Sequence, residues 1–153
     1  MALGQMRYAQ INTPLSQKLT QKKCLIAAHR GSWGGNITQN TVGAYKAALQ
    51  MGADIVETDV TATTDGVLYS FHDGNEKRVF GVEKSIRQMD SKEVENYHPI
   101  NTCNELTAAR INRLTEVLDF LSHGELLNID RAWNIIPQLL EVLDRYPNAK
   151  YQV

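Results

Sequence analysis

Short apolar or β-branched runs along the chain mark its candidate strands. They are CLIAA (residues 24–28), ADIVETDVTA (53–62), VLYSF (67–71), ELLNID (125–130) and KYQV (150–153). Runs of this length, bounded by turn residues, are typical of buried strands. TTDG (63–66) predicts a turn too short for a helical crossover, and so a tight reversal of the chain.

Apolar residues at helical spacing predict helices between these strands. The first helix begins near Asn40 or Thr41, either of which can cap it, and ends at Gly52. Two more helices are predicted in LTEVLDFLSHG (114–124) and IIPQLLEVLDRY (135–146), where Pro137 suits a first turn.

The remaining segments are mostly polar. Residues 1–23 predict an N-terminal arm or a short helix, and residues 74–110 an insertion or long loop with short helical pieces such as DSKEVENY. Alternation of strands and helices indicates an α/β fold with a mostly parallel sheet.

Composition narrows the function classes. The chain has 153 residues, enough for one domain with a real core, and its 16 basic and 17 acidic residues give a net charge of −1. That balance argues against nucleic acid as a partner. No apolar run is long enough to span a bilayer.

The N-terminus is polar and lacks the apolar core of an export signal, so we expect a cytoplasmic location; a leader that had been removed would leave the same sequence. Cys24 and Cys103 fit neither a metal-binding nor a disulfide spacing, and Cys24, which opens an apolar run, is expected to be buried.

Two carboxylates stand out in the run VETDV. Glu57 and Asp59 are two residues apart, which on a strand places both side chains on one face. Carboxylates held together repel each other unless a cation lies between them. A hard divalent ion would satisfy the pair, and so would salt bridges on a solvated strand face.

Other reactive side chains also follow predicted strands. His29 and Arg30 follow the first strand, His72 follows the third, and Asp130 ends the fourth. Sites in parallel α/β folds gather at the carboxyl ends of strands. Two histidines offer an acid and a base near neutral pH, and an arginine suits a phosphate. Together with a bound cation they indicate phosphoryl-ester chemistry.

The motifs resemble those of the glycerophosphodiester phosphodiesterase family. HRG, then QNT, then GADIVETDVTATTDGVLYSFHD follow the order and spacing of that family's pattern over residues 29–73, and RLTEVLDFL resembles a later segment of it.

The resemblance implies a TIM-type (β/α) barrel over residues 24–153, with a small insertion after the third strand at about 74–110. It implies metal-dependent hydrolysis of small glycerophosphodiesters to an alcohol and glycerol 3-phosphate, within lipid and glycerol metabolism. The implied roles are these: acid–base catalysis by His29 and His72, phosphate binding by Arg30, and Mg²⁺ or Ca²⁺ binding by Glu57, Asp59 and Asp130. Further pocket candidates are Gln39, Asn40 and Trp33.

Three positions depart from the family pattern. Gln39 and Asp130 stand where the family usually has Glu, and Ala132 where it usually has Lys. Two other functions therefore stay open: a binding or scaffold domain that kept the fold and lost turnover, and a related phospholipase or lyase.

Strand number leads to a further expectation. A complete barrel of this type needs eight strands in typically about 250 residues. This sequence provides about half of them, so we expect a barrel truncated to its first half, with weak or no turnover. An open barrel edge predicts that the chain forms a homodimer or aggregates.

Overall fold

The computed structural model describes residues 13–22 and 24–153, and those residues form a mixed α/β fold. The helices are α1 Thr13–Gln21, α2 Val42–Gln50, α3 Glu76–Phe80, α4 Ser91–Val94, α5 Leu114–Phe120, α6 Ile136–Leu143 and α7 Ala149–Gln152; the strands are β1 Ala27–Ala28, β2 Ile55–Ala62, β3 Leu68–Ser70 and β4 Leu126–Asp130. Short 3₁₀ helices span Ile86–Gln88 and Trp133–Ile135. Most of the predicted N-terminal arm lies outside the described residues, and its described part includes α1.

β2 lies at the centre of the sheet. Ile55 and Val56 pair with β1 on one edge and with β4 on the other, both in parallel. Val60–Ala62 then pairs with β3 in the antiparallel direction. Because β2 is flanked and covered in this way, every residue from Val56 to Thr61 is buried.

Two apolar clusters stabilise the described fold. The larger packs α2, α5 and α6 against the sheet through side chains that include Tyr45, Val56, Val60, Leu114, Val117, Leu127 and Leu139. The smaller consists of Tyr69, Phe71, Val79, Phe80, Ile86, Met89, Val94 and Ile111. Removing such side chains from water typically contributes about 1.5–3 kcal/mol each.

The ends of α2 follow from local sequence. Thr41 has extended backbone and its Oγ1 accepts a hydrogen bond from the Ala44 amide at 3.3 Å, so Thr41 is the N-cap. Gly52, at φ 94°, takes the left-handed conformation expected just after the helix. The predicted bounds of this helix are confirmed, and so is Pro137 in the first turn of α6.

The first predicted strand is shorter and less buried than expected. Only Ala27 and Ala28 join the sheet, and Cys24 and Ile26 are exposed. The prediction that Cys24 is buried is therefore wrong. Among the described residues β1 pairs with β2 alone, so the other edge of β1 has no partner strand there.

The tight reversal at residues 63–66 is confirmed, because the Gly66 amide donates to the Thr63 carbonyl at 3.0 Å. β3 is consequently antiparallel to β2. β3 forms a hairpin with β2, and the parallel part of the described sheet consists of β1, β2 and β4.

The predicted final strand KYQV is wrong. Ala149–Gln152 forms the helix α7, and the Val153 amide donates to the Ala149 carbonyl at 2.9 Å. Ala149 is buried, and this helix contacts β4. Four residues are too few to show whether a run has the period of a strand or of a helix.

The polar segment 74–110 contains more structure than a long loop. It includes α3, a 3₁₀ turn and α4, and it contributes most of the smaller apolar cluster. Apolar side chains are spaced irregularly here, because they project from short elements with different directions.

Candidate active site

The loop after β1 is sharply turned. Arg30 has φ 59° and Gly31 φ 77°, both left-handed. A Cβ atom at Gly31 would lie 2.6 Å from the Ala44 carbonyl carbon, so only glycine lets this loop lie against α2. Ser32 N donates to the Ala44 carbonyl at 2.9 Å and fixes that approach. His29, just before the turn, is exposed.

Three acidic side chains meet where the parallel pairing of β2 with β4 ends. Glu57 and Asp59 project from one face of β2, and Asp130 pairs with Asp59 in the register of β2 with β4. One carboxylate oxygen of each lies within 4.8 Å of the others. Glu57 and Asp59 are buried and Asp130 is exposed, so the cluster is open on one side.

Only one oxygen of each buried carboxylate accepts a hydrogen bond from the described residues. The Arg30 amide donates to Glu57 Oε2 at 2.7 Å, and Asn40 Nδ2 donates to Asp59 Oδ2 at 2.8 Å. Arg30 Nε also lies 2.9 Å from Asp59 Oδ2 as an ion pair. Glu57 Oε1 and Asp59 Oδ1 are buried without a hydrogen-bond partner among the described residues.

Burial raises the pKa of Glu57, and the nearby charge of Asp59 raises it further. The hydrogen bond from the Arg30 amide and the positive charges of His29 and Arg30 oppose that rise in pKa. The pKa of Glu57 stays raised, so these groups do not fully offset the burial of its carboxylate.

The cluster fits a divalent cation. Ions such as Mg²⁺ and Ca²⁺ bind oxygen ligands at about 2.0–2.6 Å, so two ligands of one ion lie at most about 5 Å apart. The three carboxylates meet that limit. Two of them also have a buried oxygen that no described protein group satisfies, and an unsatisfied buried carboxylate is costly unless it is paired.

His72 lies next to this cluster. The amide of its neighbour Phe71 donates to the Asp59 carbonyl at 2.9 Å, which joins the residue after β3 to the middle of β2. His72 is half-buried, and its Nδ1 lies 2.8 Å from the Asp73 carbonyl oxygen. A carbonyl can only accept, so Nδ1 bears the proton and the neutral ring has its lone pair on Nε2.

The remaining pocket candidates lie in the loop between β1 and α2. Gln39 Oε1 accepts from Arg30 Nη1 at 3.3 Å. Asn40 does not cap α2: its amide group holds Asp59, because Asp59 N also donates to Asn40 Oδ1 at 3.2 Å. Trp33 is 44% exposed and its ring packs against Arg78.

Sequence reasoning missed one group of charges beside His72. Asp73 Oδ1 lies 3.0 Å from Arg131 Nε, and Asp73 Oδ2 lies 3.0 Å from Arg87 Nη2. Arg131 has φ 59° directly after Asp130. Asp73 and Arg131 flank predicted site residues, which was a usable signal, whereas Arg87 reaches the site only because residues 74–110 fold back over it.

A buried hydroxyl cluster lies on the opposite face of β2. Tyr45 Oη bonds to Thr58 Oγ1 at 2.7 Å and to Ser70 Oγ at 2.6 Å. Burial raises the pKa of Tyr45, which keeps its hydroxyl protonated. The cluster joins α2, β2 and β3 directly behind the carboxylates.

Residues 29–152 match the Glycerophosphoryl diester phosphodiesterase family. The chain belongs to this family. The match begins at His29 and includes every catalytic, phosphate-binding and metal-binding candidate, so the resemblance inferred from the motifs is confirmed.

Two bacterial relatives named glycerophosphodiester phosphodiesterase illustrate the similarity. The protein from Caldanaerobacter subterraneus is 33% identical over 116 residues, which cover 74% of this chain and 47% of that protein. The protein from Bacillus altitudinis is 33% identical over 129 residues, which cover 84% of this chain and 50% of that protein. The chain thus spans about half the length of these curated relatives.

Solved structures of the family share the fold. A phosphodiesterase from Oleispira antarctica, solved in complex with the product sn-glycerol-3-phosphate, superposes with a TM-score of 0.68 at 26% identity, covering 80% of this chain and 53% of that one. A glycerophosphodiester phosphodiesterase from Thermotoga maritima gives 0.63 at 29% identity, covering 82% and 52%. None of the described helices is long and apolar enough to cross a membrane.

Proposed function

We propose that this chain hydrolyses small glycerophosphodiesters, and that residues from the ends of β1, β2, β3 and β4 form the site. Water adds to phosphorus, the ester bond to the head-group alcohol breaks, and the products are that alcohol and glycerol 3-phosphate. The observation that supports this most is the carboxylate cluster with two unsatisfied buried oxygens, inside the segment that matches the family. The near-neutral net charge also favours a small substrate over nucleic acid.

In this proposal Glu57, Asp59 and Asp130 hold Mg²⁺ or Ca²⁺. When bound, such an ion supplies positive charge to the phosphoryl oxygens and orients the substrate. Asn40 holds Asp59 in place for this role, and the Arg30 amide does the same for Glu57.

Arg30 would bind the phosphate. Its Nε faces Asp59 and its Nη1 faces Gln39, so these two partners fix the plane of the guanidinium group. A planar donor fork held in this way suits two oxygens of one phosphate group.

The two histidines would transfer the protons. The bond from His72 Nδ1 to the Asp73 carbonyl leaves Nε2 of the neutral ring free to take a proton. His29 is exposed at the rim, close enough to Glu57 to lower the pKa of that carboxyl group. One histidine would accept the proton of the attacking hydroxyl, and the other would protonate the leaving oxygen.

A second candidate function is a binding or scaffold domain that holds metal and phosphodiester without turnover. It is favoured by Gln39, Asp130 and Ala132, the three departures from the family pattern. A shorter carboxylate at position 130 and a missing lysine at position 132 would weaken transition-state contacts while leaving the β2 carboxylates intact.

Product analysis separates these candidates. The chain is incubated with glycerophosphodiesters and Mg²⁺ or Ca²⁺, and glycerol 3-phosphate, free alcohol and cyclic phosphate are measured. Glycerol 3-phosphate with an equal amount of alcohol supports the proposal. A cyclic phosphate product indicates a lyase, and metal binding without any product indicates the scaffold.

A further inference from the structure

A cavity of about 280 Å³ lies beside the candidate active site. Its lining includes Trp33, Gln39, Arg78, Val79, Ile100 and Thr102. One wall is therefore the loop after β1, and the other is α3 with the segment near residue 100. The volume is below the roughly 300–1,000 Å³ typical of sites for drug-sized ligands, so it suits a small group and not a long acyl chain.

Gln39 joins this cavity to the carboxylate cluster. It lines the cavity, and its Oε1 accepts from Arg30, whose Nε lies 2.9 Å from Asp59. A phosphodiester bound at Arg30 would thus lie one side chain away from the cavity, and one of its two ester substituents would be able to enter it.

The walls of the cavity are fixed by bonds between separate segments. Asn101 Nδ2 donates to Asn36 Oδ1 at 2.9 Å, which holds the segment near residue 100 against the loop after β1. The Ile100 amide donates to the Val79 carbonyl at 2.7 Å, which ties the same segment to α3. The walls of the cavity are therefore held together by bonds within the protein.

The charge among the described lining residues is positive only. Arg78 lines the cavity, and among the described lining residues none is acidic. The guanidinium carbon of Arg78 lies 5.7 Å from the centroid of the Trp33 ring. The aromatic face that could attract a quaternary ammonium group therefore already faces a cation. Thr102 and Gln39 add neutral hydrogen-bonding groups to the lining.

We infer that this cavity is the subsite for the head-group alcohol, and that it selects an uncharged polyhydroxylated group over a quaternary ammonium group. The inference rests on the proposed function for the position of the phosphate. Hydroxyl groups can accept from Arg78 and exchange hydrogen bonds with Gln39 and Thr102. A trimethylammonium group can do neither, and Arg78 repels it.

The test is a binding measurement that needs no turnover. Non-hydrolysable phosphonate analogues of glycerophosphoinositol and glycerophosphocholine are titrated calorimetrically into the 153-residue chain with Mg²⁺ present. The wild-type chain should bind the inositol analogue about tenfold more tightly, a difference of about 1.4 kcal/mol. Arg78→Glu should abolish or reverse that ratio, and Arg78→Gln should reduce it.

Lys77→Glu is the matched control, because it reverses one charge on the same helix and its side chain is not part of the lining. It should leave the ratio unchanged. Equal affinity for both analogues in the wild-type chain, binding of neither, or an unchanged ratio in Arg78→Glu overturns the inference. Selective binding without turnover of the natural esters would overturn the proposed function and leave the subsite intact.

Discussion

Glu57 and Asp59 are buried with unpaired carboxylate oxygens. Each has one carboxylate oxygen bonded to the protein and one oxygen with no partner among the described residues. Such an arrangement lowers stability in the absence of metal, because burying a charge without a partner is costly. In the proposed function these unpaired oxygens bind the metal. The site therefore sacrifices stability for activity, as functional sites often do.

Metal should therefore stabilise the wild-type chain, and Glu57→Gln should remove that effect. Saturating Mg²⁺ or Ca²⁺ raises the free energy of unfolding by about 2.7 kcal/mol at a hundredfold excess over Kd. The metal-free variant should be at least as stable as the metal-free wild type, because it loses a buried charge. Thermal denaturation with and without metal measures both effects, and exposed Glu141→Gln is the control. If Glu57→Gln were stabilised by metal as much as the wild type, Glu57 would not be a metal ligand.

His29 and His72 should be needed for chemistry and not for folding. We expect His29→Ala and His72→Ala each to lower the turnover rate by about 10²–10⁴-fold, the usual effect of removing a general acid or base. Exposed His123→Ala should have no effect, since its side chain lies beyond α5. Initial rates with circular dichroism spectra of each variant check this. Near-normal rates in both active-site variants would make the pair structural.

At the residue scale the sequence predicted most of the cluster. Glu57 and Asp59 share a strand face by simple alternation, Asp130 ends a predicted strand, and the two histidines follow predicted strands. The register of β2 with β4, which aligns Asp59 with Asp130, is a tertiary feature. So are the ion pairs of Asp73 with Arg87 and Arg131, because they join segments far apart in sequence.

The helix α1 is attached to the sheet by one buried carboxylate. Asp54 Oδ1 lies 2.6 Å from Lys22 Nζ and 3.7 Å from Lys18 Nζ, while Oδ2 accepts from the Ile26 amide at 3.0 Å. The hydrogen bond from Lys22 lowers the pKa of Asp54, and the Ile26 amide lowers it further. Asp54 thus joins α1, the start of β1 and the start of β2.

Asp54→Asn should destabilise the chain at neutral pH and much less in acid. A carboxyl group whose pKa is lowered in the folded state contributes stability above its unfolded pKa, about 3.9, and loses it as pH falls through the folded pKa. The difference in free energy of unfolding from wild type should therefore be full at pH 7 and shrink below about pH 4. Urea titrations at both pH values measure it, with Glu141→Gln as control. A difference independent of pH would contradict the ion-pair account.

At the element scale, local rules predicted the helices well and the strands less well. Thr41 acts through its own side chain, and Gly52 and Pro137 act through their own backbone, so the effects of all three can be read from sequence. The pairing of β3 and the helical form of Ala149–Gln152 depend on partners elsewhere in the fold. A short apolar run has no period long enough to identify it without those partners.

At the scale of the whole molecule, α6 and the residues before it expose an apolar surface. Ile136 and Leu140 on α6 are 45% and 54% exposed, and Trp133 just before that helix is 78% exposed. Leu140 also lines a cavity of about 390 Å³ with Leu143 and Val153. Contiguous exposed apolar surface of this kind favours association.

We therefore expect the chain to associate with itself in solution. Leu140→Lys should shift the population toward monomer, because it places a charge within that surface. Leu106→Lys, at an even more exposed apolar residue of another region, is the control. Sedimentation velocity over a range of concentrations measures the distribution. A monomer at every concentration would contradict this expectation of a dimer.

The family and the mixed α/β class could be inferred from the motifs between His29 and Asp73, and both agree with the comparisons. The parallel arrangement of β1, β2 and β4 also followed from the pattern. The smaller apolar cluster could not be inferred from the pattern, because its residues come from irregular segments whose packing no periodicity reveals.

The central claim is that Glu57, Asp59 and Asp130 hold a divalent ion needed for phosphodiester hydrolysis. The most direct test is the rate of glycerol 3-phosphate release from a glycerophosphodiester, measured after chelation and again as Mg²⁺ or Ca²⁺ is added back, for the wild type and for Asp59→Asn. We expect chelation to reduce the wild-type rate to background, and added metal to restore it in the wild type but not in the variant. A chelated wild type that keeps its rate, or a variant that recovers as fully as the wild type, would contradict the claim.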